Sequence, residues 1–382
     1  MNNEKGIIHN QGNASRLCDQ ENISLNMKKT YLILLLLLGA FVLSACTGSR
    51  IAVNNWPGLT ADSDRAYIST GSFLYAVDLK SGQQVWQYPA EADSKNIFFA
   101  TPTLTDDGQL LVGSEGSNHA LVSISAKTGK DNWASPFAGA KGGWVASPLV
   151  LNDRIYAPNT DGFMYVLDLD GKPAADPIDI GGALWSAPST DGSSIYVTSL
   201  DHHIHVIDPL DNASIDPIDL GGAAPSSPVI VDGGAYVGSF ASNIEFVTSK
   251  GEHNITATAT NWVWGTPALD EDTLYYADLN GNMFSFDLKT KKQNWGEVKP
   301  DGPIVAKLLV EGGQIYAATE AGTFFALDKD ANILWQKDLG GNIYSSPVAA
   351  GDLILVAPYK SDFVLAAYDA DGKQAWTFTP QK

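Results

Sequence analysis

The stretch AVDLKSGQQVW (residues 76–86) places a small residue, a carboxylate, a turn glycine and a tryptophan at fixed offsets, and the chain contains several close copies of it. The position of Asp78 recurs about every 40 residues. Its eight occurrences are Asp78, Ser125, Asp168, Asp208, Thr248, Asp287, Asp328 and Asp369, separated by 47, 43, 40, 40, 39, 41 and 41 residues. Self-similarity at this period is typical of repeat architectures such as propellers.

Each repeat contains short runs of β-branched and aromatic residues broken by Gly, Asp or Asn, as in AYISTGSFLYAVD (residues 66–78). Such runs predict strands joined by hairpins. A small residue followed by proline precedes most repeats: Thr101-Pro102, Ser147-Pro148, Ala187-Pro188, Ser227-Pro228, Thr266-Pro267 and Ser346-Pro347, whereas the slot at Lys307 has lost its proline. Because no long 3.6-residue apolar period is present, we predict an all-β fold: one eight-bladed β-propeller of four-stranded antiparallel blades over residues 56–382.

The residue types of the motif indicate a structural role. The aspartate accepts backbone N–H groups in the turn that follows it, and Gly82 and Gly129 supply a left-handed conformation. The tryptophans fall on the outermost strand, where a flat ring covers the joint between blades; they are Trp86, Trp133, Trp295, Trp335 and Trp376. The third and fourth repeats instead carry DPIDIGG (residues 176–182) and DPIDLGG (residues 216–222). We therefore expect their outer strands to be the least well anchored.

The N-terminus resembles an export signal. From Met27 the chain reads MKKTYLILLLLLGAFVLSAC, in which two lysines precede an apolar core too short to span a bilayer. The final Leu-Ser-Ala-Cys resembles the bacterial lipobox and implies cleavage before Cys46 and its acylation, with an uncleaved signal anchor as the alternative. We interpret residues 1–26 as an over-extended gene start, 27–45 as a lipoprotein signal peptide and 46–55 as a short tether. These features predict a protein of the bacterial cell envelope, anchored by lipid on the exported side.

The mature chain is acidic and nearly free of cysteine. Residues 46–382 carry 20 basic and 40 acidic side chains, a net charge of −20. Such a surface repels nucleic acid and anionic lipid headgroups, so membrane attachment has to come from the acyl chains. Cys46 is the one cysteine left after removal of the leader with Cys18, which excludes a disulfide framework or a redox pair.

The repeat Ala-x-Asp-x-x-[Ser/Thr]-Gly-x-x-x-Trp, with its preceding [Ser/Thr]-Pro, resembles the pyrroloquinoline-quinone-type propeller repeat over residues 56–382. The resemblance implies one of two branches: quinoprotein dehydrogenases, or cofactor-free exported propellers that include the lipoprotein of the outer-membrane β-barrel assembly machinery. The dehydrogenase branch implies a longer chain, vicinal cysteines and calcium ligands, and this chain has no Cys-Cys pair. We expect no cofactor and no enzyme activity, but a monomeric scaffold that binds an envelope protein or polymer. A quinone-dependent dehydrogenase and a sugar-polymer or cell-wall binder are the alternatives.

Two motifs are candidate metal sites. In DHHIHVID (residues 201–208), His203 and His205 point to one face of a strand, and Asp201 adds an oxygen. These histidines align with Phe73 and Tyr75, so the alternative is that they replace packing aromatics. The Asp-x-Asp turns at residues 168–170 and 369–371 contain oxygen ligands that suit calcium but fall where the repeat needs a hairpin. We favour structural readings for both motifs.

Aromatic residues near the start of several repeats are the candidate partner-binding site. Three residues before the repeat prolines stand Phe99, Trp185, Trp264 and Tyr344, and Trp144 lies one place earlier in its own repeat. If the strand that follows is the innermost of each blade, the ring brings these aromatics to one mouth of its channel. Aromatic residues are frequent binding hot spots. The alternative is that their rings fill the wedges between adjacent blades.

Overall fold

The computed structural model describes residues 56–381. The predicted gene start, signal peptide, tether and lipidated Cys46 lie outside the described residues and stay predictions. The described part of the chain consists of strands, turns and irregular segments. It contains no helix that is long and apolar enough to cross a membrane.

Residues 58–378 form 31 strands in eight antiparallel sheets, which we number as blades 1 to 8 in chain order. The strands of blades 1 to 4 are β1 (Gly58–Ala61), β2 (Arg65–Thr70), β3 (Phe73–Asp78), β4 (Gln84–Tyr88); β5 (Thr103–Leu104), β6 (Gln109–Gly113), β7 (Leu121–Ser125); β8 (Leu149–Leu151), β9 (Arg154–Pro158), β10 (Phe163–Asp168), β11 (Ile178–Asp179); β12 (Ser189–Thr190), β13 (Ile195–Thr198), β14 (His203–Ile207) and β15 (Ile218–Asp219). Those of blades 5 to 8 are β16 (Val229–Val231), β17 (Gly234–Gly238), β18 (Asn243–Val247), β19 (His253–Thr258); β20 (Ala268–Asp270), β21 (Thr273–Ala277), β22 (Met283–Asp287), β23 (Lys292–Val298); β24 (Leu309–Glu311), β25 (Gln314–Ala318), β26 (Thr323–Leu327), β27 (Ile333–Asp338); β28 (Val348–Ala350), β29 (Leu353–Val356), β30 (Leu365–Tyr368) and β31 (Gln374–Phe378).

The predicted eight-bladed propeller is confirmed, with one local difference in blade 2. Seven sheets have four strands and this one has three. Its outer position is held by two isolated bridges, Ile124 to Asp131 and Leu121 to Phe137. Pro136 stands between these bridges and has no backbone N–H to donate to a ladder, which gives a physical reason for the interruption.

The first strand of each blade is the innermost. Within every sheet the strands follow one another in sequence order, and first strands of neighbouring blades contact each other, as β20 contacts β24 and β24 contacts β28. The same contact joins β1 to β28 and closes the ring. Each blade is built from consecutive residues, so blades 1 and 8 meet by packing rather than by exchanging a strand.

The hydrophobic core is divided among the joints between blades. Eight clusters of buried residues each combine side chains from two neighbouring blades. At the closing joint, for example, Leu59 and Ile68 of blade 1 lie in one cluster with Leu355 and Leu365 of blade 8. Burial of apolar area in these joints is the main force that holds the blades together.

The outer-strand tryptophans bridge neighbouring blades as predicted. Each indole N–H donates to a backbone carbonyl in the turn between the third and fourth strands of the next blade. The five bonds are Trp86 to Ala126 (3.0 Å), Trp133 to Leu169 (2.8 Å), Trp295 to Lys329 (3.0 Å), Trp335 to Ala370 (2.8 Å) and Trp376 to Leu79 (2.8 Å). In blade 3, which lacks the tryptophan, the Tyr156 hydroxyl donates to the Pro209 carbonyl at 3.2 Å. The outer strands of blades 3 and 4 are two residues long, consistent with weaker anchoring.

The motif aspartates stabilise those turns. The Asp168 carboxylate accepts the backbone N–H groups of Asp170 and Lys172 at 3.0 and 2.8 Å. Asp369 accepts those of Asp371 and Lys373 at 3.1 and 2.8 Å in the same way. Both Asp-x-Asp segments therefore serve as hairpin turns.

Substitution of Gly82 tests whether Trp376 packs on the turn that contains this glycine. Its φ is +68°, and a Cβ there would lie 2.7 Å from Cγ of Trp376. Gly71 has a similar φ of +59° with no atom within 4 Å of an added Cβ. Alanine in this conformation costs about 1–2 kcal/mol at either position. We expect Gly82→Ala to lose about 1–3 kcal/mol more than Gly71→Ala, because Trp376 has to move. Denaturant unfolding of the two variants measures the difference, and equal losses would contradict the proposed packing.

Candidate binding site at the aromatic mouth

The segments that lead into the first strands bring aromatic rings together at one end of the channel. The Trp56 ring centroid lies 5.9 Å from that of Phe99, 6.2 Å from that of Trp185 and 6.4 Å from that of Tyr344. Trp264 lies 6.2 Å from Trp185. Blades 1, 2, 4, 6 and 8 thus each contribute one ring; those of blades 2, 4, 6 and 8 are the predicted residues Phe99, Trp185, Trp264 and Tyr344.

Rings from neighbouring turns extend this cluster outward. Phe240, in the turn between β17 and β18, lies 5.4 Å from Trp264 and stacks on Trp262 at 4.7 Å with an interplanar angle of 10°. Tyr359 lies 6.5 Å from Tyr344. We call the whole set the aromatic mouth; its members are Trp56, Phe99, Trp185, Phe240, Trp262, Trp264, Tyr344 and Tyr359.

The aromatic mouth is separate from the packing between blades. None of its members belongs to the eight clusters of buried residues among the described residues. Trp185, Trp264 and Tyr344 are half-buried, and Trp262 is 50% exposed. Phe99 is buried at the base of the mouth. These rings present apolar surface to solvent that the fold itself does not use.

Trp144 has the other role that the sequence left open. It is fully buried in the joint between blades 2 and 3, where it contacts Phe137 and Tyr165. Its indole N–H donates to the His119 carbonyl at 2.8 Å. Trp144 therefore fills a wedge and is placed away from the mouth, because a shift of one residue along the segment directs its side chain to the opposite side.

Four members of the mouth, Trp56, Phe240, Trp262 and Tyr359, were absent from the sequence prediction. Trp56 stands directly before Pro57, at the position that holds Ser or Thr in most other repeats. This Trp-Pro pair is the sequence signal from which Trp56 could have been predicted. Phe240 and Trp262 come from two segments that meet only in the folded ring, where the Val263 N–H donates to the Ser239 carbonyl at 3.1 Å. No local pattern indicates this pairing.

Groups of both charges lie close to the mouth. The side-chain N–H of Asn342, two residues before Tyr344, donates to the backbone carbonyl of Glu320 at 2.6 Å, so Glu320 lies beside this segment. Burial raises the pKa of the Glu320 carboxyl above its ordinary value. Lys360 Nζ lies 5.0 Å from the centroid of the Tyr359 ring and adds a positive charge at the same rim.

Below the rings, hydroxyl groups of the small-residue slot link neighbouring blades. The backbone N–H of Ala187 donates to Ser227 Oγ at 3.0 Å, and that of Ser227 to Thr266 Oγ1 at 2.9 Å. The N–H of Lys307 donates to Ser346 Oγ at 3.0 Å. The Lys307 side chain is exposed to the channel, yet surrounding protein desolvates it and lowers its pKa. The slot that lost its proline therefore places an ammonium group in this layer.

The two histidines of the motif, His203 and His205, differ in their surroundings. Their ring centroids are 6.4 Å apart, and His203 Nδ1 lies 3.3 Å from Asp201 Oδ1. His205 is buried, with Nε2 enclosed and unpartnered. Among residues 56–381 no group of three or more His, Cys, Asp or Glu side chains is arranged to hold a metal ion. His205 occupies the position of the packing residues Tyr75 and Tyr165, in line with the structural reading.

His205 should make stability depend on pH. Desolvation lowers its pKa in the folded protein, so the fold favours the neutral ring, whereas the unfolded chain binds a proton below about pH 6.5. Stability is therefore complete above pH 6.5 and is lost as the pH falls below that value. We expect His205→Phe to remove this loss in urea unfolding between pH 5 and 8. His203→Phe, at a half-exposed position of the same strand, is the matched control and should keep it; identical profiles for both variants would contradict this assignment.

The fold and the mouth define an eight-bladed propeller of quinoprotein-type repeats with a concentrated aromatic surface at one end of its axis. The family model described as "Outer membrane protein assembly factor BamB" matches residues 70–297 and 297–382. This match spans well over half of the chain, and the chain belongs to that family. The resemblance inferred from the repeat motif is thereby confirmed.

Individual relatives match over shorter stretches. The outer membrane protein assembly factors BamB of Nitrosomonas eutropha (strain DSM 101675 / C91 / Nm57) and Burkholderia pseudomallei (strain K96243) are 29% and 28% identical over 113 residues. These alignments cover 29% and 30% of this chain and 27% and 29% of the respective relatives, so each spans less than a third of the relative's length.

Two solved structures share the fold. The crystal structure of BamB from Moraxella catarrhalis has a TM-score of 0.63 at 18% identity and is matched over 82% of this chain and 91% of its own. The computationally designed Ika8 protein has a TM-score of 0.67 at 11% identity, over 84% and 95%. At these identities, the comparisons establish the propeller architecture alone.

Proposed function

We propose that this chain is a non-catalytic propeller that acts as an outer membrane protein assembly factor in the bacterial envelope. The observation that carries the proposal is the family match over residues 70–382, which covers blades 2 to 8 and the last two strands of blade 1. The description of that family names an assembly factor rather than an enzyme. The proposal assigns the propeller the role of holding an envelope protein rather than of transforming a substrate.

The aromatic mouth is the proposed docking surface. Trp and Tyr rings bury much area at little entropic cost and dominate binding energies at interfaces. Here blades 1, 4, 6 and 8 contribute Trp or Tyr rings and blade 2 contributes Phe99, and these rings stand outside the cores that stabilise the joints. The net charge of −20 over residues 46–382 favours a partner with basic residues at the contact.

The proposal includes a lipid tether at Cys46. It rests on the lipobox-like Leu-Ser-Ala-Cys that follows the apolar core of the signal peptide. An acyl group on Cys46 would place the ring at the membrane where its clients are assembled. The net charge of −20 over residues 46–382 does not favour attraction to anionic lipid headgroups in place of that anchor.

Cys46→Ala tests the tether and the cellular role together. In the native bacterium, deletion of the gene should lower the amount of folded outer membrane proteins, and the wild-type gene should restore it. We expect Cys46→Ala to lose incorporation of labelled palmitate and to restore poorly. Cys18→Ala is the matched control, since this cysteine precedes the predicted start, and it should behave as the wild type. Labelling of the Cys46→Ala protein would overturn the tether, whereas unchanged outer membrane proteins in the deletion strain would overturn the assembly role.

Trp185→Ala and Trp144→Ala separate docking from packing. Trp185 is half-buried in the mouth, and we expect its truncation to cost about 2 kcal/mol or more in binding of a captured envelope partner with little change in stability. Trp144 fills the joint between blades 2 and 3, and its truncation should instead cost about 3–5 kcal/mol of folding free energy. Thermal unfolding beside partner capture measures both quantities. A loss of several kcal/mol of stability in Trp185→Ala would assign this ring to the structure instead.

A further inference from the structure

Trp56 lies on the axis of the ring. Its neighbours Phe99, Trp185 and Tyr344 lead into blades 2, 4 and 8, at centroid distances between 5.9 and 6.4 Å. Blades 4 and 8 are four steps apart in an eight-membered ring and therefore stand opposite each other. A single side chain that contacts both has to occupy the centre of the mouth.

The Trp56 indole is held differently from the tryptophans of the repeat. Those five tryptophans each donate a hydrogen bond to the next blade. Among the described residues, Trp56 makes no hydrogen bond through its indole N–H and belongs to none of the buried clusters. Its ring is half-buried and has Phe99, Trp185 and Tyr344 as aromatic neighbours. It fills the mouth without forming a hydrogen bond that links two neighbouring blades.

The rings around Trp56 are fixed by other contacts. Trp185 packs edge-on against Trp264, Trp264 packs on Phe240, and Tyr344 packs near Tyr359. Aromatic pairs of this kind contribute beyond the area they bury. The surrounding shell therefore has the form of a preorganised site, and Trp56 occupies it as an internal ligand would.

We propose that the aromatic mouth is a receptor site for an aromatic side chain of a bound polypeptide, and that Trp56 occupies this site until such a ligand displaces it. The proposal rests on the proposed function and specifies how the propeller recognises its partner. The position that Trp56 occupies identifies an aromatic side chain as the ligand group, because an indole ring already fits there. The net charge of −20 over residues 46–382 favours a polypeptide with Lys or Arg next to the aromatic residue.

Competition by Trp56 has a measurable consequence. While Trp56 occupies the site, an external ligand can bind only to the fraction of molecules in which the site is vacant. The measured affinity for that ligand is lower in proportion to this fraction. The probes are labelled acetyl-Lys-Trp-Lys-amide and its alanine counterpart, acetyl-Lys-Ala-Lys-amide, titrated into purified protein by fluorescence anisotropy. We expect Trp56→Ala to bind the tryptophan peptide at least tenfold more tightly than the wild type does, and the alanine peptide no better.

Two further variants make the result specific. Trp295→Ala removes a tryptophan from the outer strand of blade 6 and should leave the affinity at the wild-type value. Trp56→Ala combined with Trp185→Ala should lose the gain. An affinity of Trp56→Ala equal to that of the wild type, or equal binding of both peptides, would overturn the proposal. Should Trp56→Ala fail to fold, Trp56→Leu allows the same comparison with a smaller apolar side chain, and wild-type affinity there would likewise overturn it.

The outcome is distinguishable from that of the proposed function. The peptide titration uses purified protein, whereas the assembly role is measured as folded outer membrane proteins in the deletion strain. Peptide binding without a cellular defect would refute the assembly role alone. A cellular defect without tighter binding by Trp56→Ala would refute the receptor site alone.

Discussion

The ring depends on one contact that is repeated around it: an outer-strand tryptophan of one blade that packs on a turn glycine of the next and donates to a carbonyl beside it. Trp376 makes this contact with Gly82 and Leu79, and so joins the last blade to the first. Because blades 1 and 8 exchange no strand, packing has to close the ring. One contact therefore requires the tryptophan, the left-handed glycine and the aspartate of the turn together. Their common spacing in the sequence reflects this requirement.

Placing the core in the joints leaves the axis available for function. The eight buried clusters each lie between two blades, and Trp185, Trp264 and Tyr344, on the segments that lead into the innermost strands, belong to none of them. Aromatic side chains can accumulate there without disturbing a joint. The mouth of this propeller collects rings from several blades, which no single blade could present, and its geometry is set by the same repeat that sets the fold.

The sequence predicted the fold because its signal is local and occurs eight times. Short β-branched runs, turn residues and the spaced tryptophan specify each blade, and a shared period specifies the ring. The site was predicted in part. Trp185, Trp264 and Tyr344 share a register and meet at the mouth, but Trp144 stands one residue earlier and enters a joint between blades. Phe240 and Trp262 come from separate turns, and only the closed ring stacks them.

Trp56 shows how a repeat can acquire a recognition site. Most of the other blades place Ser or Thr in this slot, where the hydroxyl ties one blade to the next. A tryptophan in the first blade gives up that bond and extends to the axis instead. Hydroxyl links are present between blades 4 and 5, 5 and 6, and 7 and 8. A side chain that contributes contacts to opposite blades, yet belongs to no joint, can leave its position at the cost of those contacts alone. For this reason a ligand that supplies an equivalent ring can replace it without opening the fold.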